Sequence, residues 1–392
     1  MFTALILTLL FAAAPVAPSP TPPSEVDWYE HGYNKALRDA RVGDQLVLVA
    51  LVPEWSDYSR QVAEETFTDP RVAEAMGDLV CLKYEVDDAH LRQVSKIYNV
   101  ENFPAIVFAN SKGKIEDLIQ GYIPPEPMLE QLERITAGVG TVGDHQREVD
   151  QNPDDLEKQF ALMGMLQNVL DWRRAEKVER AIRNADPEAQ TTAGARLVMG
   201  DIWQEVYASM ESDDAALDVE PAVEFLESRR EPRVRFQGWQ DVGNKLAGHG
   251  DLKGARGAYM AAYENADDDL SGDWAADVAR WFLSDEQPDL DADERVFTLE
   301  LAERSVNSVV AYCEAHADGK SAEGDGDGYE LSEADQDSWL ADRLGLLAKA
   351  QLHCAPDREA VTLAVATARR CVELQPESED YQAMLDELVA MR

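Results

Sequence analysis

The chain has 392 residues, of which 45% are hydrophobic, enough for two or three domains with real cores and too apolar for global disorder. Its 36 basic and 76 acidic residues leave a formal charge of -40. Such a surface repels phosphate backbones and anionic lipid, which argues against nucleic acid and membrane surfaces as partners; it serves solubility or a salty habitat, or an acidic docking face.

Residues 1–18 open with an apolar stretch, Ala4 to Ala14, too short to span a bilayer and of the length of a signal-peptide core. A secretory segment is expected although no Lys or Arg precedes it, and a lipid-anchored form is not, because no cysteine lies near it. A Pro-rich linker covers 19–25. No later stretch is apolar enough to cross a membrane. The expected location is outside the cytoplasm, in the periplasm or beyond the cell.

Residues 26–140 alternate helix and strand. Tyr29 to Arg41 reads as helix, Gln45 to Leu51 as a buried strand, and Asp57 to Met76 as helix broken at Asp69-Pro70. Leu79 to Val86 is a strand, Ala89 to Tyr98 a helix, and Ala105 to Phe108 and Ile115 to Gln120 are strands around the turn 110–113. Pro124 to Thr136 closes the unit as a helix. This order predicts an α/β domain with a central sheet flanked by helices.

Residues 145–392 carry helices only, separated by short acidic turns. Pro153 and Pro187 stand one 34-residue period apart, and Trp239, Val242, Gly243, Leu246, Ala255, Tyr259 and Ala262 follow the tetratricopeptide pattern almost position for position. The sequence predicts about five helix pairs, from Leu156 to Gln375, and a capping helix, Ser378 to Met391: an all-α array resembling tetratricopeptide repeats. Gly243 and Ala255 are small where two helices would cross, and Trp239, Leu246 and Tyr259 would fill the space between pairs. Gln237, Gln240 and Asn244 are expected on the inner face, where their neutral amides suit a neutral or basic protein or peptide partner and not an acidic tail.

The motifs of the first domain are ordered: Val47 to Pro53 leading into Glu54-Trp55, Glu64 to Val72, Val86-Asp87, and Phe103-Pro104-Ala105 before a strand. Together they resemble the thioredoxin superfamily, especially exported domains related to thiol-disulfide interchange proteins. The resemblance implies a redox Cys-x-x-Cys after the Trp, where a helix N-terminus lowers one thiol's pKa and the second resolves the mixed disulfide. This chain has Ser56-Asp57-Tyr58-Ser59 there, and Ala50 where the family places a buried carboxylate. Ordinary dithiol chemistry is therefore not expected, and no catalytic residue is assigned. Ser56 as a nucleophile would need a base within hydrogen-bond reach; His90, at the start of a later helix, is not placed for it. Helix capping and solvation of a degenerate site account for both serines. The resemblance also implies that Pro104 is cis and that Phe103 offers main-chain groups to an extended peptide. Either Pro104 serves the chain turn alone, or a non-covalent peptide groove survives, formed by Trp55, Ser56, Tyr58, Ser59, Phe103 and Pro104.

The four cysteines, Cys81, Cys313, Cys354 and Cys371, show no CxxC and no metal spacing. Cys81 reads as a buried strand residue. The acidic stretch Glu323 to Gly328 resembles a calcium loop, but Ala334 falls where an acidic twelfth ligand is needed, so a linker is expected. No metal and no cofactor is predicted. The favoured function is an exported, non-catalytic protein-binding module, an adaptor or chaperone-like protein. A thiol-disulfide oxidoreductase and a structural envelope protein are the alternatives.

Overall fold

In the computed structural model the described residues are 25–391, apart from 86–88, 211, 213–214, 267–269, 285–286, 288, 317–331 and 355–357. The secretory segment, most of the Pro-rich linker, the Val86-Asp87 motif and the acidic stretch at 323–328 lie outside them. By contact the chain divides into two compact units, 1–185 and 186–392.

The first unit opens with α1 (Tyr33–Gly43), β1 (Val47–Leu51), α2 (Asp57–Gln61), a π-helical turn (Val62–Thr66) and α3 (Pro70–Ala75). There follow β2 (Val80–Tyr84), α4 (Ala89–Ile97), β3 (Ala105–Ala109), β4 (Ile115–Gln120) and α5 (Pro125–Thr136). The four strands form a mixed sheet in the order β2-β1-β3-β4: β1 runs parallel to β2 and antiparallel to β3, and β3 antiparallel to β4. Every residue of β1 and β3 is buried, because both strands sit inside the sheet with both faces covered, which is why they read as unbroken apolar runs. One face holds Leu48, Ala50, Ile106 and Phe108 against Val62, Phe67, Met128 and Leu132.

The break expected at Asp69-Pro70 is present. The Asp69 carboxylate accepts from Arg71 N at 2.8 Å, and Pro70 occupies the first helical position, where its missing N–H costs nothing. The first helix starts later than its periodicity predicts. Trp28 instead bridges β2 at Cys81, and Tyr29 N donates to Cys81 O at 2.7 Å. The outer edge of β2 needs a main-chain partner, and that demand overrides the helical pattern of Tyr29 to Gly32.

Three more helices complete this unit: α6 (Val142–Gln151), α7 (Leu156–Asn168) and α8 (Trp172–Ala185). The last helix packed on the core of the sheet, α5, ends at Thr136, and the compact unit runs past the boundary drawn at 140–145 to Ala185. Helix α6 packs on the edge strand β4. Gly143 N donates to Glu116 Oε2 at 2.7 Å, Asn110 Nδ2 donates to Glu116 Oε1 at 2.6 Å, and Asn99 Nδ2 donates to Leu170 O at 3.1 Å. The segment between sheet and helices is thus bonded at both ends. A fragment 24–140 is expected to melt roughly 5 °C or more below a fragment 24–185, since it loses these bonds and exposes the β4 edge. Equal melting temperatures by circular dichroism would show that the added helices contribute nothing to the sheet domain.

The second unit is helical throughout its described residues: α9 (Thr192–Ser209) with α10 (Glu220–Glu227), α11 (Pro232–Gly248) with α12 (Leu252–Tyr263), α13 (Gly272–Phe282) with α14 (Ala292–His316), α15 (Glu333–Cys354) with α16 (Arg358–Leu374), and α17 (Glu379–Met391). With α7 and α8 these are the expected five pairs and final helix. The contacts at the best-matched pair are those the sequence assigned. A Cβ on Gly243 would lie 2.8 Å from the Tyr259 ring, so only glycine lets α11 and α12 approach this closely. Leu246, Ala255 and Tyr259 are buried in one core with Trp203, Phe282 and Phe297, and Trp239 packs against it. An ion pair spans that core: Arg256 on α12 meets Glu294 on α14 at 3.0 Å, both nearly inaccessible to solvent.

Candidate functional site

The turn after β1 is the first candidate. Pro53 O accepts from Ser56 N at 3.0 Å, folding the chain sharply at Trp55. Ser56 then caps α2, its Oγ accepting from Ser59 N at 3.3 Å. That is the capping role expected of it, and it satisfies one of the N–H groups a helix start leaves open. Ser59 sits one turn on and is only 1% exposed, and its Oγ has no hydrogen-bond partner among the described residues. Neither hydroxyl can form a disulfide.

Trp55 and Tyr58 are each 63% exposed, unusual for large aromatic side chains. The Phe103 ring stands edge-on to Trp55, centroids 5.9 Å apart. The Phe103–Pro104 peptide bond is cis. Pro104 is buried, and its carbonyl accepts from Gly121 N at 2.9 Å. The Phe103 main chain makes no hydrogen bond among the described residues, so its N–H and C=O remain available. The structure thus brings Trp55 and Phe103 together, with Tyr58, Ser56 and Ser59 on the adjoining turn.

Ala50 lies in the middle of β1 without solvent contact, among apolar neighbours, and supplies no proton relay. Cys81 is buried on β2, its Sγ directed at the carbonyls of Met76 and Leu79 at 3.7 and 3.8 Å. Burial, with a smaller push from Asp27, raises its pKa to about 12. Burial likewise raises Cys354 and Cys371 to about 11. All four cysteines are free thiols.

The second candidate is a groove of about 610 Å³ between α9 and α11 in the second unit. Gln237, Gln240 and Asn244 line it together, as their helical spacing implies. Further side chains of α11 and side chains of a second helix join them. Arg196, Met199, Gly200 and Trp203 enter from α9, and Asp241 and Lys245 from α11. Trp203 Nε1 donates to Asp241 Oδ2, and Tyr259 donates its hydroxyl proton to Asn244 Oδ1 at 2.8 Å. Two cations and one carboxylate accompany the amides: Arg196 joins from α9, and Asp241 and Lys245 from α11 itself.

Residues 33–136 match the family model of a thioredoxin-like domain. No curated protein matches the chain. A solved structure described as "DsbH Oxidoreductase" is similar at 14% identity, covering 32% of this chain and 95% of that chain, with a TM-score of 0.25. The N-terminal part of this chain is a thioredoxin-like domain, and a largely helical region follows it.

Proposed function

We propose that the chain is an exported, non-catalytic protein-binding module, in which the thioredoxin-like domain is a redox-inactive platform and a tetratricopeptide-like array is the main docking surface. The observation that carries this reading is the serine pair. Ser56 and Ser59 stand at the capped turn where dithiol chemistry would need thiols, and Ser56 already serves as helix cap. A thiol-disulfide oxidoreductase would need a low-pKa thiolate near that turn, whereas the cysteine of this domain, Cys81, is buried with its pKa raised. Trp55, Tyr58 and Phe103 keep an exposed aromatic face beside unbonded main chain, as non-covalent peptide binding by strand addition requires. The chain's charge of -40 favours neutral or basic partners.

The test is affinity capture with the full exported chain, followed by the same capture with Gln240→Ala plus Asn244→Ala, and separately with Phe103→Ala. The array double variant is expected to lose most of the captured partner and Phe103→Ala to retain it. Loss with Phe103→Ala alone would move the working surface to the thioredoxin-like domain. Turnover of a disulfide substrate would overturn the non-catalytic reading.

A further inference from the structure

Cations of this chain stand over several of its aromatic rings. Lys35 Nζ lies 5.3 Å from the centre of the Tyr29 ring, and Lys83 Nζ lies 5.0 Å from that of Trp28. Arg229 stands 4.6 Å over Phe225, and Lys245 5.6 Å over Tyr207. All four fall within the roughly 6 Å at which the negative face of a ring attracts a cation. Trp55 and Tyr58 are more exposed than any other Trp, Tyr or Phe among the described residues. Yet no cation of the described residues stands over either of them or over Phe103.

The charges beside these rings are a second, independent observation. Glu54 and Asp57 lie one and two positions from Trp55, and Glu101 lies two before Phe103; all three are exposed. Arg60 is the one cation between Pro53 and Gln61. It is already engaged, pairing with Asp57 and donating from Nη1 to Glu54 O at 3.1 Å. The Glu54 and Glu101 carboxylates have no hydrogen bond or ion pair among the described residues.

The rings of Trp55 and Phe103 meet at 90°, centroids 5.9 Å apart, and so form a corner with Tyr58 exposed on the adjoining turn. Negative ring faces and carboxylates together attract a cation. An apolar side chain gains nothing from the carboxylates, and an anion is repelled by them. Phe103 supplies both a wall of the corner and the unbonded main chain, so an extended segment paired there has a side chain within reach of it.

Resting on the proposal that this domain is a non-covalent peptide platform, we infer that the corner of Trp55 and Phe103 takes a lysine or arginine side chain of the partner's extended segment, with Glu54, Asp57 and Glu101 supplying the negative field. A cation over an exposed ring strengthens binding only about fivefold. The contact therefore selects the segment and leaves most of the affinity to the array.

Fluorescence anisotropy tests this with a labelled peptide of Ser and Thr carrying one central Lys, beside versions with norleucine or Glu in its place. The full exported chain is expected to bind the Lys peptide about fivefold more tightly than the norleucine peptide, and the Glu peptide least. The preference should narrow as salt is raised. Trp55→Leu should bind the Lys and norleucine peptides equally, at an unchanged Tm because the ring it removes is mostly exposed. Glu54→Gln with Glu101→Gln should reduce the preference and its dependence on salt. Equal binding of the two peptides by the parent chain, or a preference that survives Trp55→Leu, overturns the inference. If the preference survives Trp55→Leu and is lost in Gln240→Ala plus Asn244→Ala, protein binding stands and the array reads the cation instead. If no peptide binds at millimolar concentration, the inference falls, and capture of a folded partner then decides the broader reading separately.

Discussion

Insulin reduction driven by dithiothreitol is expected to run no faster with this chain than without it. The Cys81 pKa of about 12 leaves roughly one thiolate in a hundred thousand at pH 7, and that one is buried in the sheet. The turn itself, however, keeps a geometry that thiols could use. Ser56 stands at the helix N-terminus, its Oγ within 3.3 Å of Ser59 N, and Ser59 is buried one turn on. Positions three apart on a helix face one another closely enough for a modest adjustment to join them. Ser56→Cys with Ser59→Cys is therefore expected to form an intramolecular disulfide, seen as two thiols titratable only after reduction, and to raise insulin reduction above the control. Turnover should stay slow, because Ala50 cannot relay a proton. Activity of the parent chain that disappears with Cys81→Ser would overturn this account. Failure of the double variant to form a disulfide would show that the turn has drifted from redox geometry as well as from redox chemistry.

Arg256→Ala is expected to lower the stability of the helical unit by about 3–5 kcal/mol, the usual result of stripping one partner from a buried ion pair. Arg256 is 3% and Glu294 7% exposed. The pair is held at 3.0 Å, and Glu294 Oε2 also accepts from Asp291 N at 2.8 Å, so truncation of Arg256 strands a carboxylate that cannot turn to water. The penalty comes from that stranded charge more than from lost attraction, which a second variant separates. Arg256→Met with Glu294→Leu should recover most of the loss, since apolar replacements of similar volume remove both desolvation costs. Urea denaturation of the full chain measures both. A loss below about 1 kcal/mol for Arg256→Ala would mean that water reaches Glu294 and that the pair is a surface bridge in effect.

That the turn carries two hydroxyls and no thiol pair was legible in the sequence, because whether a disulfide can form there depends on which atoms are present and not on how they are arranged. The strands β1 and β3 and the repeated helix pairs were legible for a related reason: apolar periodicity records which face each element buries. The same holds for Gly243 under the Tyr259 ring, a contact between two helices adjacent in the chain. What the sequence withheld involves partners far apart along it. The bridge from Trp28 to Cys81 replaced a helical turn because a sheet edge some fifty residues away needed covering. Helices α6 to α8 joined the first unit through Glu116 and Asn99, side chains whose ties to Gly143 and Leu170 no local pattern records. The groove shows the difference most directly. Gln237, Gln240 and Asn244 follow from the pitch of one helix, whereas Arg196, Gly200 and Trp203 join them only because α9 packs beside α11. Local propensity and periodicity decide which face a helix turns inward. Which side chains of a second helix then share a cavity with them is decided by the packing of helices distant in sequence.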